Sequence, residues 1–526
     1  MSEFLQSIGY NGWVLHALVL LPLAGIVPIL LAPEPSARRI ALVVTTAVFL
    51  VSIGLWWSLD PASGQLQLVS NLPWIPDWGI AYRVGIDGIS LFMVLLSTAL
   101  MPLAVLGSWK YIETRERGYY ALLLALETGL LGVFIALDLF VFYVFFEVML
   151  IPMYFLIGIW GGANRMYAAI KFFVYTFFGS LLMLVAIIAM VWQIAEATGT
   201  VSFAYEHLLE NAASVQSIAP WLFGAFALAF AIKVPIFPLH TWLPDAHVEA
   251  PTAGSVLLAS VMLKIGTYGF LRFAVPFFPD VAFSPTVSRL MVALAVIGII
   301  YGALVAMVQP DIKKLVAYSS VSHLGFVMLG IWAATLQSVQ GALMVMISHG
   351  LSTGALFFLI GMMYERRHTR EIAAYGGIAR VVPALAVIFV VVSLSSVGLP
   401  GLNGFIGEFL VLLGSFAVYP WATGIATVVV IFAAAYLLWA VQRLFYGTIE
   451  RPENASLTDL TRRELAVLLP LVLGIVWMGI YPKPVLSRME SAARAYVELA
   501  HPRAANPHGA GDPHAGLGAA AREARP

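Results

Sequence analysis

The sequence has no cysteine and few charged residues. With 0 Cys in 526 residues, the chain can form no disulfide, thiolate metal site, iron–sulfur cluster or cysteine nucleophile. Charged residues make up 11%, against about 25% in ordinary soluble domains. The 28 Lys and Arg balance the 28 Asp and Glu, so no positive excess indicates nucleic acid as a partner. The sequence also has no phosphate-binding loop, metal-binding histidine pair or nucleophile elbow. Redox and phosphate chemistry are therefore expected on other chains.

Hydrophobic residues, by contrast, make up 61% of the sequence. No soluble fold of this length has enough interior to bury that much apolar surface. The long apolar runs predict helices, because backbone polar groups in lipid must be satisfied within the segment. The prediction is an all-α polytopic membrane protein with about fourteen transmembrane helices, the first of them retained as a helix rather than cleaved as a signal. The predicted spans are 12–32, 39–58, 88–109, 119–137, 139–160, 168–194, 219–242, 252–275, 287–308, 313–334, 338–363, 381–418, 422–446 and 463–482.

Two of the predicted helices contain residues that break helices. The seventh carries Pro235 and Pro238, and the twelfth carries Gly398, Pro400 and Gly401. The two breaks lie five spans apart, which predicts two inverted five-helix repeats, helices 4–8 and 9–13, with sites at the breaks. The predicted division is 1–118 for helices 1–3, 119–275 and 287–446 for the two repeats, 447–495 for a loop and the last helix, and 496–526 for a disordered tail.

The Lys and Arg residues indicate the orientation of the chain. Most of them, including Lys313 and Arg366, fall in loops on one side of the predicted membrane. Because cytoplasmic loops carry the excess of Lys and Arg, this side is predicted to be inside, with both termini outside. His508 and His514 in the tail raise the alternative of a metal site there.

Several ionisable residues lie inside the apolar runs, where a charge costs about 2.5–3.5 kcal/mol on the lenient insertion scale. Such groups usually face a cavity or a partner; for Lys264 the alternative is that its side chain reaches back to the interface. Glu127 does not lie at a spacing from other residues that would indicate a role, so structural and functional interpretations both stay open. Buried histidines are more often hydrogen-bonding core residues, but three lie close to these charges. The candidates are Glu147, Lys233, Lys264, Glu408, His240, His323 and His349.

Two long motifs carry a family resemblance. Residues 240–255, HTWLPDAHVEAPTAGS, and 309–325, QPDIKKLVAYSSVSHLG, resemble the proton-pumping antiporter-like subunits of respiratory complex I, NADH:quinone oxidoreductase. These subunits are in turn similar to Mrp-type cation/proton antiporter subunits. Residues 146–154, FEVMLIPMY, and 405–409, FIGEF, are similar to the branch called subunit M, the bacterial counterpart of mitochondrial subunit 4. The sister subunits L and N carry Lys where this chain has Glu408.

The resemblance implies roles for the matching positions. Glu147 and Lys233 would form a buried ion pair, Lys264 a middle relay and Glu408 the terminal acid. His240, His323 and His349 would line a hydrated axis between them. The chain would hold no cofactor or metal, with FMN, iron–sulfur clusters, NADH and quinone bound by other subunits. Its partners would be other complex I membrane subunits, especially L and N, together with lipid and protons. Its place would be a bacterial inner membrane, with both termini on the periplasmic side.

The expected mechanism follows from these roles. A buried lysine keeps its charge beside a carboxylate and tends to lose its proton when the carboxylate moves away. Opening the Glu147–Lys233 pair would thus push a proton toward Lys264 and Glu408, driven by redox chemistry in other subunits. Two alternatives stay open: a secondary antiporter that exchanges Na⁺ or K⁺ for protons, and a membrane scaffold without transport.

Overall fold

The chain is almost entirely helical in a computed structural model that describes residues 1–504. Within this range, twelve helices are long and apolar enough to cross a membrane. The predicted membrane architecture is therefore confirmed, whereas the count of fourteen and the inverted repeats stay predictions. The twelve are Tyr10–Leu31, Glu34–Ser58, Ser90–Gly107, Glu116–Ile135, Leu139–Trp160, Arg165–Thr198, Thr252–Phe277, Pro285–Met307, Ile312–Ala333, Leu336–Arg367, Pro420–Phe445 and Arg462–Ile480.

The two broken helices lie where the proline and glycine clusters predict them. The seventh segment is helical over Ala219–Lys233 and resumes as Trp242–Glu249. The twelfth is helical over Pro383–Val397 and Asn403–Phe416. Gly398 ends the first half of the twelfth segment with φ +84°, a conformation that residues other than glycine rarely adopt. Both breaks therefore leave short stretches of non-helical backbone beside Lys233 and Glu408.

The helix that carries Lys264 is irregular, which the sequence analysis did not predict. It contains two π-helical turns, Leu258–Met262 and Phe270–Ala274, on either side of a regular α-helical turn. Such wider turns are rare and are found frequently at functional sites. The most apolar stretch of this helix is completely buried inside the chain. Lys264 is thus held in the protein interior, and its side chain does not reach back to the interface.

A small β-hairpin is an exception to the all-α prediction. Strands Gln67–Ile75 and Ile80–Ile86 pair antiparallel between the second and third membrane helices. The Asp138 carboxylate caps the helix that begins at Leu139 and also accepts a hydrogen bond from the Ala81 backbone at 3.0 Å. The sequence analysis assigns no element to the stretch between the second and third predicted spans, residues 59–87, so it does not predict the hairpin.

The end of the described chain corrects the prediction of a disordered tail from residue 496. A helix spans Lys483–Ala504, so the first residues of the predicted tail are helical. Its backbone at Arg488 packs on Gly88, and Ser491 Oγ donates to the Pro61 carbonyl at 2.7 Å. These contacts with distant segments hold the helix, and sequence composition alone does not reveal them. The remaining tail, with His508 and His514, lies outside the described residues.

Candidate functional site

Lys264 and His349 are in direct contact in the buried centre of the chain. The Lys264 Nζ lies 2.6 Å from Nδ1 of His349 and also donates to the Ala259 carbonyl at 2.6 Å. Lys264 is 0% exposed and His349 is 4% exposed. An imidazole ring has a proton site on each nitrogen, so His349 can accept a proton from Lys264 on one edge and release one from the other.

His323 and Glu408 extend this contact toward the second helix break. The His323 ring centroid lies 5.6 Å from that of His349. On its far side, Nδ1 of His323 lies 2.8 Å from Oε1 of Glu408. Four of the seven predicted residues therefore form one row, Lys264–His349–His323–Glu408, which we call the relay row. Each member carries a group that can bind and release a proton.

Glycines let the helices of the relay row come close enough for these contacts. A Cβ at Gly407, next to Glu408, would lie 2.7 Å from the Val345 backbone nitrogen. A Cβ at Gly354 would lie 2.6 Å from the Ser260 hydroxyl, which donates to the Gly350 carbonyl at 2.7 Å. The helix Leu336–Arg367 is therefore pressed against both the Lys264 helix and the Glu408 helix.

A small polar cavity of about 10 Å³, enough for about one water molecule, borders the relay row. Nε2 of His323 and Nε2 of His349 find no hydrogen-bond partner among residues 1–504. Both rings line the cavity, so water there would have polar partners. The polar side chains that line it are His323, His349, Ser348, Ser352, Ser395 and Glu408.

Lys233 lies at the first helix break, apart from the relay row. It is the last residue of its helix and is 1% exposed. Its Nζ sits over the rings of Phe146 at 5.0 Å and Phe172 at 5.6 Å. Within the described chain this ammonium has no hydrogen-bond partner. These aromatic faces compensate a buried cation poorly, because such contacts contribute about 2 kcal/mol when desolvated. The Glu147 carboxylate adds an attraction at longer range.

No direct ion-pair contact joins Glu147 to Lys233 in the described chain, but the two lie close enough for their charges to interact, so the pair that the resemblance implies stays a prediction. Its helix ends at Val148 and resumes at Leu150, so Glu147 occupies the last turn before an interruption. The residue is only half-buried, and its Oε1 finds no hydrogen-bond partner in the described part of the chain. The ring of the neighbouring Phe146 covers Lys233 instead. This interruption is the local feature on which a movement of Glu147 would depend.

His240 and Glu127 are not in the relay row. The His240 ring lies against Tyr301 at 4.9 Å and stacks on Phe237 at 5.7 Å. No contact among residues 1–504 joins it to Lys264, His323 or His349. Glu127 is fully buried, and in the described structure neither of its carboxylate oxygens finds a hydrogen-bond partner. Its role stays open.

Two buried groups near the relay row were not among the predicted site residues. His247, quoted only as part of a motif, is 0% exposed and stacks on Phe357 at 4.6 Å. The sequence analysis places Lys313 in a loop, but its Nζ is buried and donates to the Ala250 carbonyl at 2.7 Å. Lys313 lies two residues after Asp311, which caps the helix, so the sequence there is typical of the end of a loop. The side chain is buried only because distant segments pack over it.

A buried ion pair lies near the C-terminal end of the helix that carries Lys264. Asp87 Oδ2 lies 2.6 Å from Arg272, which is two turns beyond Lys264. Burial raises the pKa of Asp87, but the Arg272 charge and hydrogen bonds from Ser90 and Ile89 outweigh it, so the pKa lies below its usual value. The carboxylate thus stays ionised at neutral pH. Sequence reasoning missed this pair because the two residues are 185 positions apart.

Comparison with known proteins gives matches over most of the chain. A family model described as NADH:quinone oxidoreductase/Mrp antiporter, transmembrane, matches residues 136–433. The chain is 47% identical over 482 residues to NADH-quinone oxidoreductase subunit M of Rhodobacter capsulatus, covering 89% of this chain and 92% of the relative. A chain of respiratory complex I from Thermus thermophilus with bound NADH superposes with a TM-score of 0.84 at 35% identity, covering 93% of this chain and 99% of that one. A chain of the Mrp complex from Dietzia sp. DQ12-45-1b shares the fold, with a TM-score of 0.80 at 20% identity, covering 94% and 98%.

Proposed function

The chain belongs to the NADH:quinone oxidoreductase/Mrp antiporter family of membrane subunits, and we propose from this premise that it is subunit M of a proton-translocating NADH:quinone oxidoreductase. The observation that carries the proposal is the relay row. Lys264, His349, His323 and Glu408 follow one another at contact distances of 2.6 Å, 5.6 Å between rings, and 2.8 Å. Charged residues in a membrane interior are expensive, so a continuous row of them favours transport over a scaffold.

The direction of transfer depends on Lys233 and Glu147. The Lys233 ammonium is covered by the ring of Phe146. Glu147 follows Phe146 in sequence and lies in the last turn before a helix interruption. When Glu147 approaches, its charge stabilises the lysine proton; when it withdraws, the buried lysine releases that proton. The released proton would enter the relay row at Lys264. Titrations of this kind are coupled, so the row binds protons as a unit.

The relay row favours protons over metal cations as the transported ion. Lys264 in the row and Lys233 at the first helix break are both buried, and each lysine, when protonated, would repel a nearby Na⁺ or K⁺ ion. A cation/proton antiporter would instead need carboxylates or carbonyls arranged as ligands. The likeness to the Mrp complex chain, at 20% identity, supports a shared fold alone.

The proposed setting follows from the relatives. The curated relative is named NADH-quinone oxidoreductase subunit M, and the solved neighbour is a respiratory complex I with bound NADH. We infer that this chain lies in the membrane arm beside the sister subunits L and N, in a bacterial inner membrane with both termini on the periplasmic side. FMN, iron–sulfur clusters, NADH and quinone would be bound by other subunits.

Proton uptake by reconstituted complex tests the proposal. Lys264→Met removes the proton site at similar side-chain volume, and Glu408→Gln removes the terminal acid. We expect NADH-driven proton uptake into liposomes to fall in both, while Lys314→Met, a half-buried lysine outside the relay row, keeps it. Proton movement driven by a Na⁺ or K⁺ gradient, without NADH and quinone, would overturn the proposal in favour of the antiporter. Full uptake in both relay variants would favour the scaffold.

A further inference from the structure

An apolar groove opens on the outer surface of the helix bundle, away from the relay row. It has a volume of about 680 Å³ and is formed by the helices Glu34–Ser58, Ser90–Gly107, Leu336–Arg367 and Arg462–Ile480. Its wall is almost wholly aliphatic and aromatic. Two of its tryptophans, Trp57 and Trp477, are 41% and 46% exposed. The side chains that define it are Phe49, Trp56, Trp57, Leu95, Leu351 and Trp477.

The groove is about as deep as one leaflet of a bilayer. It starts at Trp57, one residue before its helix ends, and at Trp477, three residues before the end at Ile480. From Trp57 to Phe49 the helix rises about 12 Å, less than half of a hydrocarbon core of about 30 Å. Leu351, near the middle of a 32-residue helix, lies at the deep end. A transmembrane helix of a partner would need a groove across the whole membrane, so this one fits lipid chains better.

The shallow end of the groove carries positive charge. Pro484 and Val485 line it, and they belong to the helix Lys483–Ala504. The Arg488 guanidinium carbon of this helix lies 4.3 Å from the ring centroid of Trp56. Lys483 is exposed at the start of the same helix. Tryptophan at the end of an apolar groove is typical of the headgroup level, where an arginine side chain can bind a lipid phosphate.

Arg488 has no acidic partner among residues 1–504, and burial lowers its pKa with no carboxylate to offset the effect. Arg494, six residues later on the same helix, differs in this respect because it pairs with Glu490 at 2.8 Å. An anionic group beside Arg488 would supply the missing counter-charge. The phosphate of a lipid whose acyl chains fill the groove would reach this position.

We propose that this groove is a binding site for one anionic phospholipid, with the acyl chains along Trp57 and Leu351 and the phosphate at Arg488. The site lies in the leaflet at which the helices Glu34–Ser58 and Arg462–Ile480 end. It does not depend on the proposed proton transfer, because no relay residue lines it. Its effect is to fasten the helix Lys483–Ala504 to the four membrane helices beneath it.

Photo-crosslinking tests the site in the intact complex. Delipidated complex is supplied with phosphatidylglycerol or phosphatidylcholine carrying a diazirine in the acyl chain, irradiated, and mapped by mass spectrometry after this chain is separated. We expect phosphatidylglycerol to label residues 49–57 and 474–485 several-fold more than phosphatidylcholine. Arg488→Gln should lower that labelling to the phosphatidylcholine level, whereas Arg494→Gln should leave it unchanged.

Competition in the unmodified complex keeps the test decisive if Arg488→Gln does not assemble. Unlabelled phosphatidylglycerol should then suppress the labelling at lower concentration than phosphatidylcholine. Equal labelling by both lipids, or full labelling in Arg488→Gln, would overturn the role of the charge. Absence of any label in these residues would mean that a protein chain covers the groove, and the lipid site would have to be abandoned.

Discussion

Lys264 and His349 are 85 residues apart in sequence, yet Nζ of the one lies 2.6 Å from Nδ1 of the other. The contact joins a helix with two π-helical turns to the long helix Leu336–Arg367. It places a basic amine against an imidazole where neither is solvated by bulk water. A proton in this contact can be bound by the Lys264 amine or by the His349 imidazole, and stepwise proton transfer requires such a pair of sites.

Substitutions of Lys233 distinguish a lysine that must release its proton from one that serves only as a fixed counter-charge. Arginine keeps a positive charge but has a pKa above about 12, so it hardly releases a proton. If Lys233 must give up its proton, Lys233→Arg and Lys233→Ala should both lower NADH-driven proton uptake by about tenfold or more. The measurement is the initial rate in reconstituted liposomes, normalised to the assembled complex. A mild effect of Lys233→Arg beside a severe effect of Lys233→Ala would assign the residue to charge pairing alone.

Gly407 tests the close packing that positions Glu408. An added Cβ would lie 2.7 Å from the Val345 backbone nitrogen, so Gly407→Ala should destabilise the chain by about 1–3 kcal/mol. Gly424→Ala is the matched control, because a Cβ there meets nothing within 4 Å. The temperature at which half of this chain aggregates in heated, solubilised complex should fall only for Gly407→Ala. Equal temperatures for the two variants would show that the helices at Gly407 and Val345 can move apart without loss of stability.

The Asp87–Arg272 pair predicts a specific dependence on pH. Asp87→Asn leaves the buried Arg272 without its counter-charge, which costs about 3–5 kcal/mol. Because the pKa of Asp87 is lowered by folding, its contribution is complete above the unfolded value of about 3.9 and is lost only as the pH falls through the still lower folded value. The aggregation temperature should therefore drop by the same amount at about pH 7 and about pH 5.5.

Asp60→Asn is the control for this pair, since Asp60 is exposed and hydrogen-bonds only locally. It should change the aggregation temperature little at either pH. If the effect of Asp87→Asn shrank between about pH 7 and about pH 5.5, the carboxyl would titrate in that range, and the sign of its pKa shift would be wrong.

Much of the architecture was predictable from local sequence. Apolar runs locate membrane helices because each must bury its backbone within itself, and the breaks at Pro235 and Gly398 follow from their own backbone restrictions. The family resemblance carried by residues 240–255 and 309–325 is confirmed by the matches over most of the chain. These features depend on a few neighbouring residues, which is why a single sequence reveals them.

The arrangement of the site depended on contacts that a sequence does not specify. Lys264, His323, His349 and Glu408 are all predicted as buried ionisable groups, but their order follows from contacts between distant helices. His240 shares the same residue type and similar surroundings in sequence, yet packs among aromatic rings outside the row. Burial of Lys313 and the pairing of Asp87 likewise arise only when distant segments meet.

The proton-to-electron ratio of His349→Gln tests the relay row most directly. Glutamine can still hydrogen-bond with Lys264 but cannot bind and release a proton near neutral pH. His16→Gln is the matched control, because His16 is hydrogen-bonded to Ser70 at 3.0 Å, far from the row in sequence and on another helix. With NADH oxidation and proton uptake measured in the same liposomes, the account predicts a lower ratio or a severalfold slower coupled turnover for His349→Gln, and neither for His16→Gln. Unchanged ratio and turnover in assembled His349→Gln would contradict proton transfer through Lys264, His349 and His323.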